Sequence, residues 1–394
     1  MTGEADIPVG LPRPGRYLRS LAAGALALWV AMGAWTLLVD PYGLFRLVEA
    51  EGFNQSKSDS YRIDQVLEYL ERRPALVLFG SSRIGAFRDP LRARAGDSAM
   101  AYALPALKAI ELLPLLEFLE DQAPPRQVLL ALDFFAFNAA TTVPPPRYAR
   151  LDRLFWADFL FRNVLSWDVF REGIRVLARN LDQGALSAEA RADEQQETLR
   201  QGTASDALVR RTFVNAVAAY LDRGYYGGYR FDAASADRLE ALLGRMAAAG
   251  TEVRLFINPP HVALLATIRL GGYWAAYETF QRRLVALAEA QGFVLWDFSG
   301  LSPLSTEAVA GGMRWYTDPS HVKPAYARLR PARRGGGESN PPVGVRLASA
   351  MLEAHLAAKR AALDAYLAEH PELLRLVLDG FAQAGVVPVA APGP

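Results

Sequence analysis

The sequence predicts an α/β fold, with a parallel sheet and helices on both of its faces. Three observations point there: short apolar runs alternate with helix-patterned segments, the runs end on polar clusters, and helices between them close on glycine. "ALVLF" from Ala75, "QVLLALDFF" from Gln127, "EVRLFINPP" from Glu252 and "FVLWDFS" from Phe293 read as strands. Short, wholly apolar runs suit strands buried on both faces. "YRIDQVLEYLE" from Tyr61, "LKAIELLPLLEFLED" from Leu107 (interrupted by Pro114), "ADRLEALLGRMAAAG" from Ala236 and "YETFQRRLVALAEAQG" from Tyr277 carry apolar residues at helical spacing. Gly250 and Gly292 stand where helices stop. Strands alternating with helices imply crossover connections between parallel neighbours. Sites in such sheets form at the carboxyl ends of the strands. The polar residues there are Gly80-Ser81-Ser82-Arg83, Asp133, Asn258-Pro259-Pro260-His261 and Asp297.

The bulk numbers bound the rest. With 394 residues, 51% of them hydrophobic, the chain can build one large domain or two small ones. The 43 basic and 42 acidic residues give a net charge of +1, and no long basic stripe points to nucleic acid. There is no cysteine, which excludes disulfides, thiolate catalysis and cysteine metal sites. No phosphate-binding, dinucleotide, H-E-x-x-H or EF-hand motif occurs, so neither a cofactor nor a metal is implied.

Residues 20–39, "SLAAGALALWVAMGAWTLLV", carry no charge, and about twenty apolar residues cross a bilayer as a helix. Arg13, Arg16 and Arg19 precede the run and Asp40 follows it. That asymmetry places residues 1–19 as a cytoplasmic tail, 20–39 as a single membrane anchor and the remainder outside the inner (cytoplasmic) membrane, in the periplasm or its equivalent. A cleaved signal is the rival, but no clear small-x-small site follows. Residues 40–60 read as a juxtamembrane linker and 61–330 as the α/β domain. A helical, aromatic insertion at about 140–205 interrupts that domain. Residues 331–394 comprise a flexible loop, C-terminal helices and a disordered tail. The aromatics Phe155, Trp156, Phe159 and Phe161 suit core packing, a membrane or a partner. The tyrosines of "RGYYGGYR", residues 223–230, suit a packed turn or contact with sugar.

Four histidines are present. His355 and His370, among Ala, Leu and Glu, read as surface helix positions, and His261 as a strand-end loop residue able to line a site. His321 differs: it sits in "RWYTDPSHVKP", three residues after Asp318. A D-x-x-H spacing can bring both side chains to one face of a first helical turn. Asp318 could equally cap a helix with Pro319 at its first position. In a serine relay, histidine takes the serine proton and a carboxylate orients the imidazole.

Gly80-Ser81-Ser82 at the first strand end, paired with Asp318 and His321 near the end of the α/β region, resembles the SGNH (GDSL-like) hydrolase superfamily. With the N-terminal anchor, the chain looks like its membrane-anchored branch, typified by D-alanyl transfer and alginate O-acetylation proteins. The resemblance implies a three-layer fold, with Ser82 as nucleophile, His321 as base and Asp318 as its orienter. It implies no cofactor, and transfer of an acyl group, acetyl foremost, to an envelope or exported glycan. A multi-pass membrane-bound O-acyltransferase is the implied donor. Family oxyanion donors are a glycine and an asparagine in later blocks. Here "SAMAYALPALKA" lacks glycine, leaving a backbone N–H at Ala103 or Ala106, and "LALDFFAFN" offers Asp133 and Asn138. Ser81, Arg83, Asn258 and His261 complete the oxyanion and substrate candidates. Arg83 could steer an anion or pair with Asp133. Two other readings stay open: an anchored esterase with water as acceptor, and a non-catalytic scaffold or glycan-binding component of an assembly complex.

Overall fold

The computed structural model describes residues 14–58, 61–141, 155–328 and 344–389. Most of the expected cytoplasmic tail, the first part of the insertion, most of the basic glycine-rich loop and the last residues of the tail lie outside them. In chain order the first elements are α1 (Pro14–Val39), α2 (Tyr61–Arg72), β1 (Leu76–Ser81), α3 (Arg88–Ala95), β2 (Ala99–Leu104), α4 (Ala109–Gln122) and β3 (Gln127–Leu132). There follow α5 (Phe155–Leu160), α6 (Trp167–Leu181), α7 (Gln183–Gln201), α8 (Asp206–Tyr220), α9 (Ala233–Ala248) and β4 (Glu252–Ile257). The last are α10 (Val262–Leu270), α11 (Trp274–Ala290), β5 (Val294–Asp297), α12 (Pro324–Ala327), β6 (Val345–Arg346), α13 (Ser349–Glu369) and α14 (Pro371–Ala384). Two compact units contain them: Met1–Ser60 with Arg147–Ala190, and Tyr61–Pro146 with Arg191–Pro394.

The first unit is built on α1, whose stretch Gly15–Val39 is long and apolar enough to cross a membrane. Its residues are exposed as far as Ala31, then become largely buried from Met32 on. The cover comes from the insertion. Gly173 of α6 faces Trp35 so closely that a Cβ there would lie 2.7 Å from the indole nitrogen. Residues 40–58 are irregular, as a linker would be, but they are packed. Asp40 accepts N–H bonds from Leu44 (2.9 Å), Phe45 (3.1 Å) and Arg46 (2.7 Å). Asn180 of α6 clasps the Ser56 backbone at both N–H (2.8 Å) and C=O (2.9 Å). Backbone groups in irregular chain need such side-chain partners once water is excluded. Residues 155–190 therefore group with the anchor segment, where an insertion within the α/β domain was expected.

The second unit holds a six-stranded sheet in the order β2-β1-β3-β4-β5-β6. Neighbouring strands from β2 to β5 pair in parallel. The expected all-parallel sheet is corrected by β6, which runs antiparallel to β5 through Trp296–Arg346 and Asp297–Val345. Strand β2, "AMAYAL", is wholly buried and was not expected. Its alanines favour helix in isolation, and only burial against β1 makes it a strand. A cluster of Leu78, Ile84, Ala101, Ala103 and Ala131 lies beneath the end of β1. Gly80 is required there: a Cβ would stand 2.8 Å from the Ala131 Cβ and 3.1 Å from the Ile84 Cγ2. The C-terminal helices belong to this same unit rather than following it. Buried Lys359 of α13 reaches the end of β5. Within the expected disordered tail, the Val389 N–H is bonded to the Leu270 carbonyl at 2.7 Å.

Candidate active site

β1 ends on Ser81, and the chain turns at once into a 3₁₀ turn, Ser82–Phe87. Ser81 caps that turn. Its Oγ accepts from the Arg83 N–H (3.3 Å) and donates to Asp133 Oδ2 (2.6 Å) at the end of β3. With Ser81 thus spent inside, the next residue, Ser82, faces outward and is half-buried. Its hydroxyl lies 2.9 Å from His321 Nε2.

His321 does not sit in a helical turn. Residues 316–322 form a pinched loop closed by a bridge between Tyr316 and Val322 and by the Thr317 N–H to the His321 carbonyl (3.0 Å). The next helix starts later, at Pro324. Asp318 organises the loop. Its Oδ1 accepts from Ser320 N–H (2.7 Å), Ser320 Oγ (2.9 Å) and His321 N–H (2.9 Å), and its Oδ2 faces His321 Nδ1 at 2.7 Å. Burial opposes its charge, but the imidazole and these donors outweigh burial and bring its pKa down to about 2. Burial likewise pushes His321 down, and Asp318 overrides it, so the imidazole titrates above its usual value. The His321 side chain keeps 36% of its surface exposed.

Arg83 ties the parts together. It is buried, donates from Nη1 to Asp133 (2.6 Å) and from Nε to the Ser320 carbonyl (3.0 Å). One side chain thus links the residue beside Ser82, the end of β3 and the loop carrying His321. Burial disfavours the guanidinium, but Asp133 raises its pKa above the ordinary value. Among the described residues its Nη2 has no hydrogen-bond partner. Asn258, at the end of β4, donates to Asp133 at 2.9 Å. Asp133 and Asn258 therefore support the site from within.

The remaining candidates lie elsewhere in function. The Asn138 amide donates to the Tyr225 carbonyl (2.8 Å), and its oxygen accepts from Ala140 and Arg230 N–H. It pins the tyrosine loop and is corrected as an oxyanion donor. Ala103 is a buried interior residue of β2, in register with Gly80. His261 is fully buried: Nδ1 accepts from Ala263 N–H and Nε2 meets the Glu307 carbonyl at 2.7 Å. Burial lowers its pKa to about 4. It caps α10 rather than lining the site. The tyrosine loop packs inward, Tyr229 stacking on Phe134 with centroids 4.0 Å apart.

Three features escaped the sequence reading. Ser320 braces the Asp318–His321 pair. Lys108, buried after β2, donates to the Gly224 carbonyl and lies over the Phe135 and Tyr225 rings. Burial lowers its pKa to about 8. The third is a second carboxylate–histidine pair. His355, expected on the surface, sets Nε2 2.8 Å from Asp297, which also binds Lys359 at 2.5 Å and the Ser299 hydroxyl. His370 bonds the Tyr366 carbonyl and stacks on its ring. Among the described residues, no group of three or more His, Asp and Glu could hold a metal ion. Comparison with known proteins found no matching family model, no matching curated protein and no matching solved structure.

Proposed function

We propose that this chain is a membrane-anchored, SGNH-like serine acyltransferase that carries an acyl group, acetyl foremost, as a Ser82 ester to a hydroxyl of an envelope or exported glycan. The observation that carries the reading is the continuous path from Ser82 Oγ through His321 to Asp318, 2.9 Å and 2.7 Å. Both distances suit proton transfer through positioned hydrogen bonds. Ser82 attacks the acyl carbonyl carbon while His321 Nε2 takes its proton. The Nδ1–H, held by Asp318, stays where it is. The tetrahedral intermediate collapses, its leaving oxygen takes the proton from His321, and the acyl group remains on Ser82. An acceptor hydroxyl then enters, gives its proton to His321, attacks the ester and leaves acylated. Ser82 recovers its proton. We assign the Ser82 N–H, at the opening of its turn, as an oxyanion donor, since the first N–H groups of a helical turn have no partner within it.

The apolar N-terminal helix supports an extracytoplasmic reading, in which a multi-pass O-acyltransferase supplies the acyl group across the inner membrane. The test is incubation of the full chain with p-nitrophenyl acetate, followed by intact mass measurement. An acetylated protein that persists until a glycan is added supports transfer. Rapid release without glycan supports an esterase with water as acceptor. Identical behaviour of wild type and Ser82→Ala removes both and leaves the scaffold reading.

A further inference from the structure

The first unit exposes large apolar side chains in a narrow zone. Trp156 is 58% exposed, Leu160 51%, Phe161 49% and Trp167 59%. They lie on α5, on the π-helical turn Phe161–Leu165 and at the start of α6. That zone is level with a definite point on α1. The Phe161 ring packs beside Trp29, centroids 6.2 Å apart, and Phe170 packs beside Trp35 at the same distance. Trp29 is itself 49% exposed. It stands ten residues before Val39, about 15 Å along the helix at 1.5 Å per residue.

A bilayer that ended at Val39 would place α5 and the π turn deep in hydrocarbon. Their charges argue against that depth. Arg162 is 43% exposed and pairs with Asp158 at 2.9 Å, and Asp168 and Arg171 stand on the next turn. Tryptophan and paired or snorkelling arginine belong at the headgroup level instead. The α1 exposure pattern gives the same boundary. Every residue of Gly15–Ala31 is exposed, and these 17 residues span about 25 Å, with Arg16 and Arg19 in the first turns placed to snorkel to the inner headgroups. Beyond Ala31 the helix is partly covered by protein: Met32, Gly33, Thr36 and Val39 are buried, while Leu38 stays 46% exposed.

We infer that the outer membrane surface crosses α1 near Trp29, and that α5, the π turn and the start of α6 lie in the lipid interface beside it. Trp29, Trp156, Phe161 and Trp167 form an aromatic belt on this one face. The occupant of the exposed zone is the bilayer itself, because the zone continues directly from a helix that is apolar enough to cross one. The last turns of α1, Met32–Val39, are thereby a partly protein-covered stalk outside the hydrocarbon. This rests on the reading that α1 crosses a membrane.

The chain has no cysteine, so single cysteines can carry a nitroxide without background. Leu26→Cys, Trp156→Cys, Phe161→Cys, Trp167→Cys and Asp97→Cys would each be labelled in the full chain. Each is reconstituted in vesicles of phosphatidylcholine and phosphatidylglycerol. Collision with oxygen reports lipid, and collision with a water-soluble nickel chelate reports the aqueous phase. The inference expects 156, 161 and 167 to lose most of the nickel collisions seen at 97 while keeping oxygen access, with 26 deeper still. Nickel access at 156, 161 and 167 equal to that at 97, with 26 still in lipid, overturns this inference alone. An aqueous signal at 26 overturns the anchor reading with it. Shielding of 156, 161 and 167 from both collision agents points to a protein partner, and also overturns the inference.

Discussion

The second unit contains two carboxylate–histidine pairs with a serine at hand, and only one sets a serine hydroxyl against the far nitrogen of its histidine. At the loop, Asp318 holds His321, whose far nitrogen meets the Ser82 hydroxyl. At the end of β5, Asp297 is wholly enclosed and meets His355, Lys359 and Ser299 together, while the Tyr277 hydroxyl donates to the Ser299 oxygen. The near nitrogen of each histidine does the same thing. The difference lies on the other side. His321 passes on to a half-exposed hydroxyl, whereas Asp297 is neutralised by a buried lysine and its serine hydroxyl is directed back into the cluster. A carboxylate and an imidazole in contact do not define a relay; an unclaimed hydroxyl within reach of the distal nitrogen does.

Substitutions can break or sharpen this contrast. Ser82→Ala should abolish the acetyl mass adduct and cut turnover by about a thousandfold or more, whereas Ser299→Ala should leave both in place. Asp318→Asn should lower turnover by about 10³- to 10⁴-fold with the fold intact by circular dichroism, because the imidazole loses its orienting acceptor. At the other cluster, Lys359→Met strands a buried Asp297 and should cost about 3 kcal/mol in urea unfolding, with turnover of the remaining folded protein unchanged. His355→Gln keeps a donor toward Asp297 and should cost only about 1 kcal/mol. If Lys359→Met abolished the adduct while the protein stayed folded, the two clusters would not be separate.

The pH profile sharpens it further. His321 must be neutral to accept the Ser82 proton, and its pKa lies above the ordinary histidine value. Activity should therefore rise with pH through a midpoint above about 6.5. Asp318 and Asp297 both titrate below ordinary carboxylates. Their contribution to stability is complete above the unfolded carboxylate pKa, about 4, and should be lost as pH falls below it. Acid unfolding followed by tryptophan fluorescence reads this.

The strands β1, β3, β4 and β5 were legible because each is a short apolar run closed by polar residues. β2 was not, because its alanines signal helix until neighbours bury them. The contact of Ser82 with His321 was legible as a pair of short blocks, but the loop that presents His321 was not, since D-P-S-H imitates a helix cap. Arg83 and Asp133 were visible as strand-end residues without their common purpose. Lys108 and Lys359 left a signal that went unread. The chain has four lysines against 39 arginines, and Lys108, Lys323 and Lys359 are all buried. A compact ammonium suits an enclosed position where a guanidinium fork does not fit. The first unit was the least legible part, because its packing depends on contacts between α1 and a segment more than a hundred residues away.

Ser82 and His321 stand 239 positions apart, and Arg83 fastens its end of that span to the carbonyl of Ser320. A chain made from its N-terminus onward has its anchor, its strand end and its serine long before it has the base. Until the D-x-x-H loop is synthesised and docked onto Arg83, the Ser82 hydroxyl has no imidazole beside it. Under the proposed mechanism, the completeness of the fold thus serves as the chain's own latch during biogenesis, and a product truncated before the loop carries a serine with no base beside it.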